Sequence, residues 1–373
     1  MQNKSNISSR QFMILTTFFT IGSAILVVPS GITALARQDA WIAALIGLAI
    51  GIGLIWMYIL LAKQHPNKSL VEMMAILLGK WLGGAIALLF VASFFLAGPT
   101  SSLNILGNFL TIQMMPETPM LSLNLLFAII VMMGVYLGIE VLARSSELFI
   151  PWIALLLTAL ILFVSFDIKP TNLQPVLEEG FMSLGPAVLS FLSAVFLPNF
   201  ILLMIFPHVN NESNEAGRAL LIGTVMGCIL MIIIVLLIIL VFGPEYTARS
   251  MYPTYELARK ISIGDFLQRL EAIVASTWFI SLYFRMAIYL FAFSAAIAQI
   301  FKLKDYRALI LPLGMLLVAL SQFIHPNIPA QQQWNVRVWT PYTALTGFII
   351  PLIMLCLSGL RNLRQKNKIN EKI

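Results

Sequence analysis

Apolar runs of about 20 residues, the length a helix needs to cross a hydrocarbon core, recur ten times along this 373-residue chain. Their approximate limits are 10–36, 40–62, 81–110, 120–139, 146–166, 181–207, 217–243, 268–300, 306–325 and 340–360. Hydrophobic residues make up 60% of the chain and charged residues only 10%. A soluble domain has too little interior to hide such a surface. In lipid every backbone polar group must be satisfied internally, which favours helices. The chain is therefore expected to be an all-α polytopic membrane protein with ten transmembrane helices, a single integral membrane domain over residues 1–373.

The first span carries the most informative local signal. Gly22-Ser23-Ala24-Ile25-Leu26-Val27-Val28-Pro29-Ser30-Gly31 lies inside the apolar run Phe12 to Ala36. Glycine weakens a helix, and proline removes an amide donor and clashes with the preceding turn. An interruption or kink is thus expected around Gly22, Pro29 and Gly31. Span six has a matching one, with Gly185-Pro186 at its start and Leu197-Pro198-Asn199 near its middle. Spans one and six lead two five-span halves, 10–166 and 181–360. Paired interrupted helices at corresponding positions point to an inverted-repeat transporter fold with a site near the bilayer midplane.

Span eight supplies the strongest single residue. Arg285 lies between Tyr283 and Tyr289 in an apolar helix, and an intramembrane arginine usually faces protein or water. Trp278, Ser281, Arg285, Tyr289, Ala292, Ala296 and Gln299 recur at steps of three and four, forming one small-and-polar stripe. Three roles compete for Arg285. It could grip a ligand carboxylate, act as a fixed cation on open carbonyls of the span-one break, or pair with Glu140 or Glu147. In span three Phe94, Gly98, Ser101 and Asn108 share a face, with Gly98-Pro99 as a kink; a pocket wall and plain helix packing are both open readings.

Enzymatic chemistry has no visible seat. There is no nucleotide loop, nucleophile elbow or metal motif; Cys228 and Cys356 lie in apolar runs, and His65, His208 and His325 fall near helix ends. No cofactor or metal is expected. Fifteen of the 23 lysines and arginines fall on one side of the spans and seven on the other, with Arg285 inside a span. The positive-inside rule then puts both termini in the cytoplasm. The basic tail, 361–373, fits anionic lipid rather than nucleic acid. Lys4 and Arg10 before an apolar run, with Ala34-Leu35-Ala36 after it, imitate a cleavable signal, but the run is too long and is read as retained. Ser69 with Glu72 and Asp265 with Gln268 resemble capping boxes, and Thr254 resembles the cap of a short helix from Tyr255 to Ile261.

These residues also carry a family resemblance over essentially the whole chain. It rests on Gly22 through Pro29, on Leu78-Gly79-Lys80-Trp81-Leu82-Gly83, and on Leu173-Gln174-Pro175-Val176-Leu177 with Glu179-Gly180. Trp278 and Ile288-Tyr289 complete it. The chain resembles the B subunits of bacterial endospore germinant receptors, within the amino acid–polyamine–organocation transporter superfamily. The resemblance implies a leucine-transporter-like fold and a small nutrient germinant, an amino acid or a sugar, bound between spans one, three, six and eight. It also implies A and C partner subunits and the inner membrane of the spore. By position the pocket would include Gly22, Ala24, Phe94, Gly98, Leu197, Arg285 and Tyr289. Arg285 departs from amino-acid-binding relatives, where a small polar residue is expected. A receptor subunit is the leading expectation, with a proton- or fixed-charge-coupled amino acid transporter second and a channel within the receptor complex third.

Overall fold

The computed structural model describes residues 7–178, 180–210, 215–260 and 270–370. Among them eight helical stretches are long and apolar enough to cross a membrane. The first, Ala24–Gln64, joins the second half of span one to span two. The first half of span one is Ser9–Ile21, cut short by the break, and span nine is the shorter apolar helix Tyr306–Ser321. Helix therefore stands at all ten expected places. Glu179 and the Asp265–Gln268 pattern lie outside the described residues.

Capping chemistry explains where several helices start. Ser8 and Gln11 form a reciprocal capping box at the head of span one, and Ser69 with Glu72 forms the expected one before span three. Asn327 accepts from the Ala330 amide, so span ten begins at Ile328 rather than near residue 340. The polar run Gln331–Asn335 is thereby helical. Thr254 departs from expectation: Tyr252 is the cap of Pro253–Arg259, and the Thr254 hydroxyl donates elsewhere.

Spans six and eight sit at the centre, most of their length buried. The first half of span one packs on span seven, where Gly223 and Gly227 let the backbones approach. A Cβ at Gly223 would meet the Met13 carbonyl, and one at Gly227 would meet Thr20 Cβ at 2.8 Å. Thr17 Oγ1 donates to the Gly223 carbonyl at 3.1 Å across this seam. Such small-residue seams replace the hydrophobic drive that lipid cannot provide.

One device recurs at four prolines within the spans. A proline at position i leaves the carbonyl at i−4 without its helical donor, and a buried carbonyl without a partner is costly. Pro29 orphans Ile25, whose carbonyl accepts from Thr254 Oγ1 at 2.7 Å. Pro99 orphans Phe95, and Thr100 Oγ1 donates there at 2.9 Å, within a π-turn over Leu96–Thr100. Pro351 orphans Gly347, whose carbonyl accepts from the Tyr58 hydroxyl. Pro198 orphans Ala194, and its carbonyl is met by Arg285 Nη2 at 3.3 Å. Of these four carbonyls, three are met by neutral hydroxyls and one by a cation.

Candidate ligand site at the two helix breaks

Span one breaks at Gly22–Ser23, ahead of Pro29 and Gly31. Gly22 has φ 32° and ψ −127°, its amide closing the first half on the Phe18 carbonyl at 2.8 Å. The positive φ favours glycine. A Cβ there would also collide with the methylene stem of Arg285. Pro29 and Gly31 lie within the continuous helix Ala24–Ala36, because Thr254 satisfies the carbonyl that Pro29 frees. Span six breaks differently. Its α-helix, Gly185–Val195, tightens after Phe196 into a 3-10 stretch over Leu197–Met204. Runs that long in 3-10 geometry are uncommon. Asn199 is buried there, its amide donating to Thr224 Oγ1 at 3.2 Å and Thr20 Oγ1 at 3.4 Å.

Arg285 joins the two breaks. Its stem crosses Gly22 and its head reaches the Ala194 carbonyl and, at 3.4 Å, the Tyr289 hydroxyl. The guanidinium carbon lies 5.2 Å from the Phe19 ring centroid and 5.8 Å from that of Tyr289, within cation–π range. Arg285 is 3% exposed, and its Nε and Nη1 are buried without a hydrogen-bond partner among the described residues. The expected alternative of a pair with Glu147 does not form. Glu147 instead lies 3.9 Å from Arg10 and accepts from Gln11 Nε2 at 3.1 Å. Beside Arg285, the end of the span-six helix is capped again, by Trp339 Nε1 on the Ser193 carbonyl at 3.1 Å.

A cavity of about 210 Å³ opens above this junction. Ser23, Ala24 and Val27 of span one line it, with Gly98 and Ser102 of span three. Ser190 and Ser193 of span six, Arg285 and Tyr289 of span eight, and Gln331 and Trp339 of span ten complete its depth. It runs along the second half of span one toward Leu35, where Gly31 and Ala34 are exposed at its mouth. No residue of Ser9–Ile21 lines it. That opposite end is closed: Ile7 exchanges backbone hydrogen bonds with the chain after span six, its amide donating to the His208 carbonyl and its carbonyl accepting from the Asn210 amide, both at 2.9 Å.

Of the residues expected at the pocket, Ala24, Gly98, Arg285 and Tyr289 lie in the wall, as does Gly31. Gly22 sits beneath Arg285. Phe94 stands behind Tyr289, ring centroids 5.8 Å apart, and does not reach the wall. Leu197 packs on Gly347, and Pro198 and Asn199 are buried below the break. Span ten's contribution, Gln331 and Trp339, was missed by sequence reasoning. The amide run Gln331-Gln332-Gln333 before the last apolar stretch was the available sign of it.

Comparison with known proteins accords with this architecture. The fold superimposes on Mhp1, a nucleobase-cation-symport-1 family transporter solved in a closed conformation with bromovinylhydantoin bound. The TM-score is 0.70 at 12% identity, covering 94% of this chain and 78% of that one. The architecture is thus that of the leucine-transporter-like fold. In sequence, the chain is 28% identical to spore germination protein KB of Bacillus subtilis (strain 168), over 99% of both chains. It is 26% identical to spore germination protein A2 of the same organism, over 91% of this chain and 92% of that one. It is 25% identical to spore germination protein GerLB of Bacillus cereus, over 76% of each. Residues 6–328 match the family model described as spore germination protein, so this multi-pass membrane chain, with its two broken helices and buried arginine, belongs to the spore germination protein family.

Proposed function

We propose that this chain is the nutrient-sensing B subunit of a germinant receptor, built on a transporter scaffold. A small nutrient enters the cavity from the mouth at Leu35, settles between spans one, three, six, eight and ten, and favours one arrangement of the broken helices. It can shift that balance only by its differential affinity for the two arrangements. A and C subunits then receive the change in the inner membrane of the spore, with both termini cytoplasmic. The two five-span halves, 10–166 and 181–360, move against each other at the breaks. The observation that carries this reading is Arg285, buried without an acidic partner among the described residues and touching both breaks from the cavity wall. An intramembrane ion so placed is a functional site by default.

The test is germination, followed by loss of optical density, of spores carrying wild type, Arg285→Ala or Arg285→Lys, against amino acids and sugars. Loss of response to one nutrient class, with subunit levels intact by immunoblot, is expected. A response unchanged in both variants sinks the assignment. Nutrient accumulation in vesicles, equal in rate to that of a working permease, would favour the amino acid transporter, a reading that the likeness to Mhp1 keeps in play.

A further inference from the structure

The cavity's polar groups are not balanced. Among the described residues three side-chain atoms of its lining are buried and unpartnered: Nε and Nη1 of Arg285 and Nε2 of Gln331. All three are donors. Arg285 is 3% and Gln331 5% exposed, so water does little to repay them. Among the described residues no aspartate or glutamate lines the cavity. The second half of span one also begins at the wall, at Ser23 and Ala24, and a helix N-terminus is a positive dipole end with free amides. A buried cation without a counter-ion, beside surplus donors, is complete only when an acceptor-rich anion joins it.

We propose, resting on the ligand-sensing reading above, that the cavity takes a small carboxylate, whose carboxyl group serves as the counter-ion of Arg285. Its remaining hydroxyl or ammonium meets the serine hydroxyls of spans one, three and six. An engineered cavity of 150 Å³ holds benzene, so about 210 Å³ admits a ligand of roughly ten or fewer non-hydrogen atoms. The bound carboxylate also competes with the Ala194 carbonyl for the guanidinium, so ligand and span-six helix end contend for one cation.

The experiment uses the purified full-length chain in detergent and reads thermal unfolding against matched pairs: L-alanine with L-alaninamide, L-lactate with lactamide, and L-proline with prolinamide. Glycerol and meso-erythritol, both within that size, serve as uncharged polyols. At least one acid is expected to raise the midpoint, with its amide weaker by about tenfold or more, as loss of a charge-assisted hydrogen bond implies. Arg285→Gln and Gln331→Leu should each narrow that gap. The acid–amide comparison in wild type stands even where a variant fails to fold. Equal stabilisation by acid and amide, stabilisation by a polyol alone, or no acid acting at 10 mM would each overturn the carboxylate assignment. A polyol that raises the midpoint and also triggers germination through this cavity would do so while leaving the sensing role intact. An acid that binds but never triggers germination would instead sink the sensing role.

Discussion

The two helix breaks solve one problem in opposite ways. In span one the chain leaves helical geometry outright at Gly22, at a φ of 32°, and the freed carbonyl downstream of the break goes to a neutral threonine hydroxyl. In span six the helix never fully opens; it tightens to 3-10 and leaves the Ala194 carbonyl to a guanidinium. A hydroxyl on a carbonyl is a closed account. The cation is not, because it brings a charge that its carbonyl partner does not neutralise. Span one thus supplies shape and span six supplies the seat of a charge, with Arg285 spanning the two. A ligand that engages Arg285 acts on both.

The largest effect should come from Gly22→Ala. It forces a residue with a Cβ to positive φ and drives that Cβ into the Arg285 stem. Backbone strain and overpacking each cost about 1–3 kcal/mol, and thermal unfolding of the purified chain should register their sum. In the double variant with Arg285→Ala the steric share should vanish and the strain share remain. Strict additivity would show that the two residues do not share this contact. Pro198→Ala comes next: it offers Ala194 a backbone donor and so competes with Arg285. Response to nutrient should shift by several-fold with little change in protein level. An unaltered dose curve would mean that the Ala194 contact plays no part in switching.

Thr254→Val should orphan the Ile25 carbonyl and cost about 1 kcal/mol, seen as a lower unfolding midpoint with nutrient selectivity unchanged. A selective loss of one nutrient would contradict the division of labour between the breaks. The smallest effect lies outside the spans. His65, hydrogen-bonded to Ser358 at 2.9 Å, has its pKa lowered from 6.5 by burial and by the nearby Arg361. The unfolded chain then takes up a proton at higher pH than the folded one. The stabilising contribution is present above pH about 6.5 and is lost as pH falls toward the folded value. His65→Gln should flatten a shallow decline in midpoint below that pH; an unchanged slope would assign the decline to other groups.

How much of this could be read without coordinates depended on the range of the interaction. Apolar run length placed helix at all ten sites because lipid leaves the backbone few alternatives. Glycine and proline marked both interrupted spans, and the cost of a buried cation singled out Arg285. Of the residues expected at the first break, Gly22 marks it and Pro29 does not, since whether Pro29 opens a helix depends on a hydroxyl over two hundred residues away, at Thr254. The same limit hid Gln331 and Trp339. Both fall between the expected spans 306–325 and 340–360, and only the packing of span ten against span six brings Trp339 onto the Ser193 carbonyl.

By itself the sequence determined the membrane class, the paired breaks and the presence of one intramembrane cation, all of them consequences of local composition and backbone chemistry. Tertiary structure decided which carbonyl each side chain would meet: Thr254 rather than a cap, Glu147 for Arg10 rather than Arg285, and Ala194 for the guanidinium. The physical reason is that a freed polar group in a dry interior takes whichever donor packing brings within about 3 Å, and distance in space is not written in sequence separation.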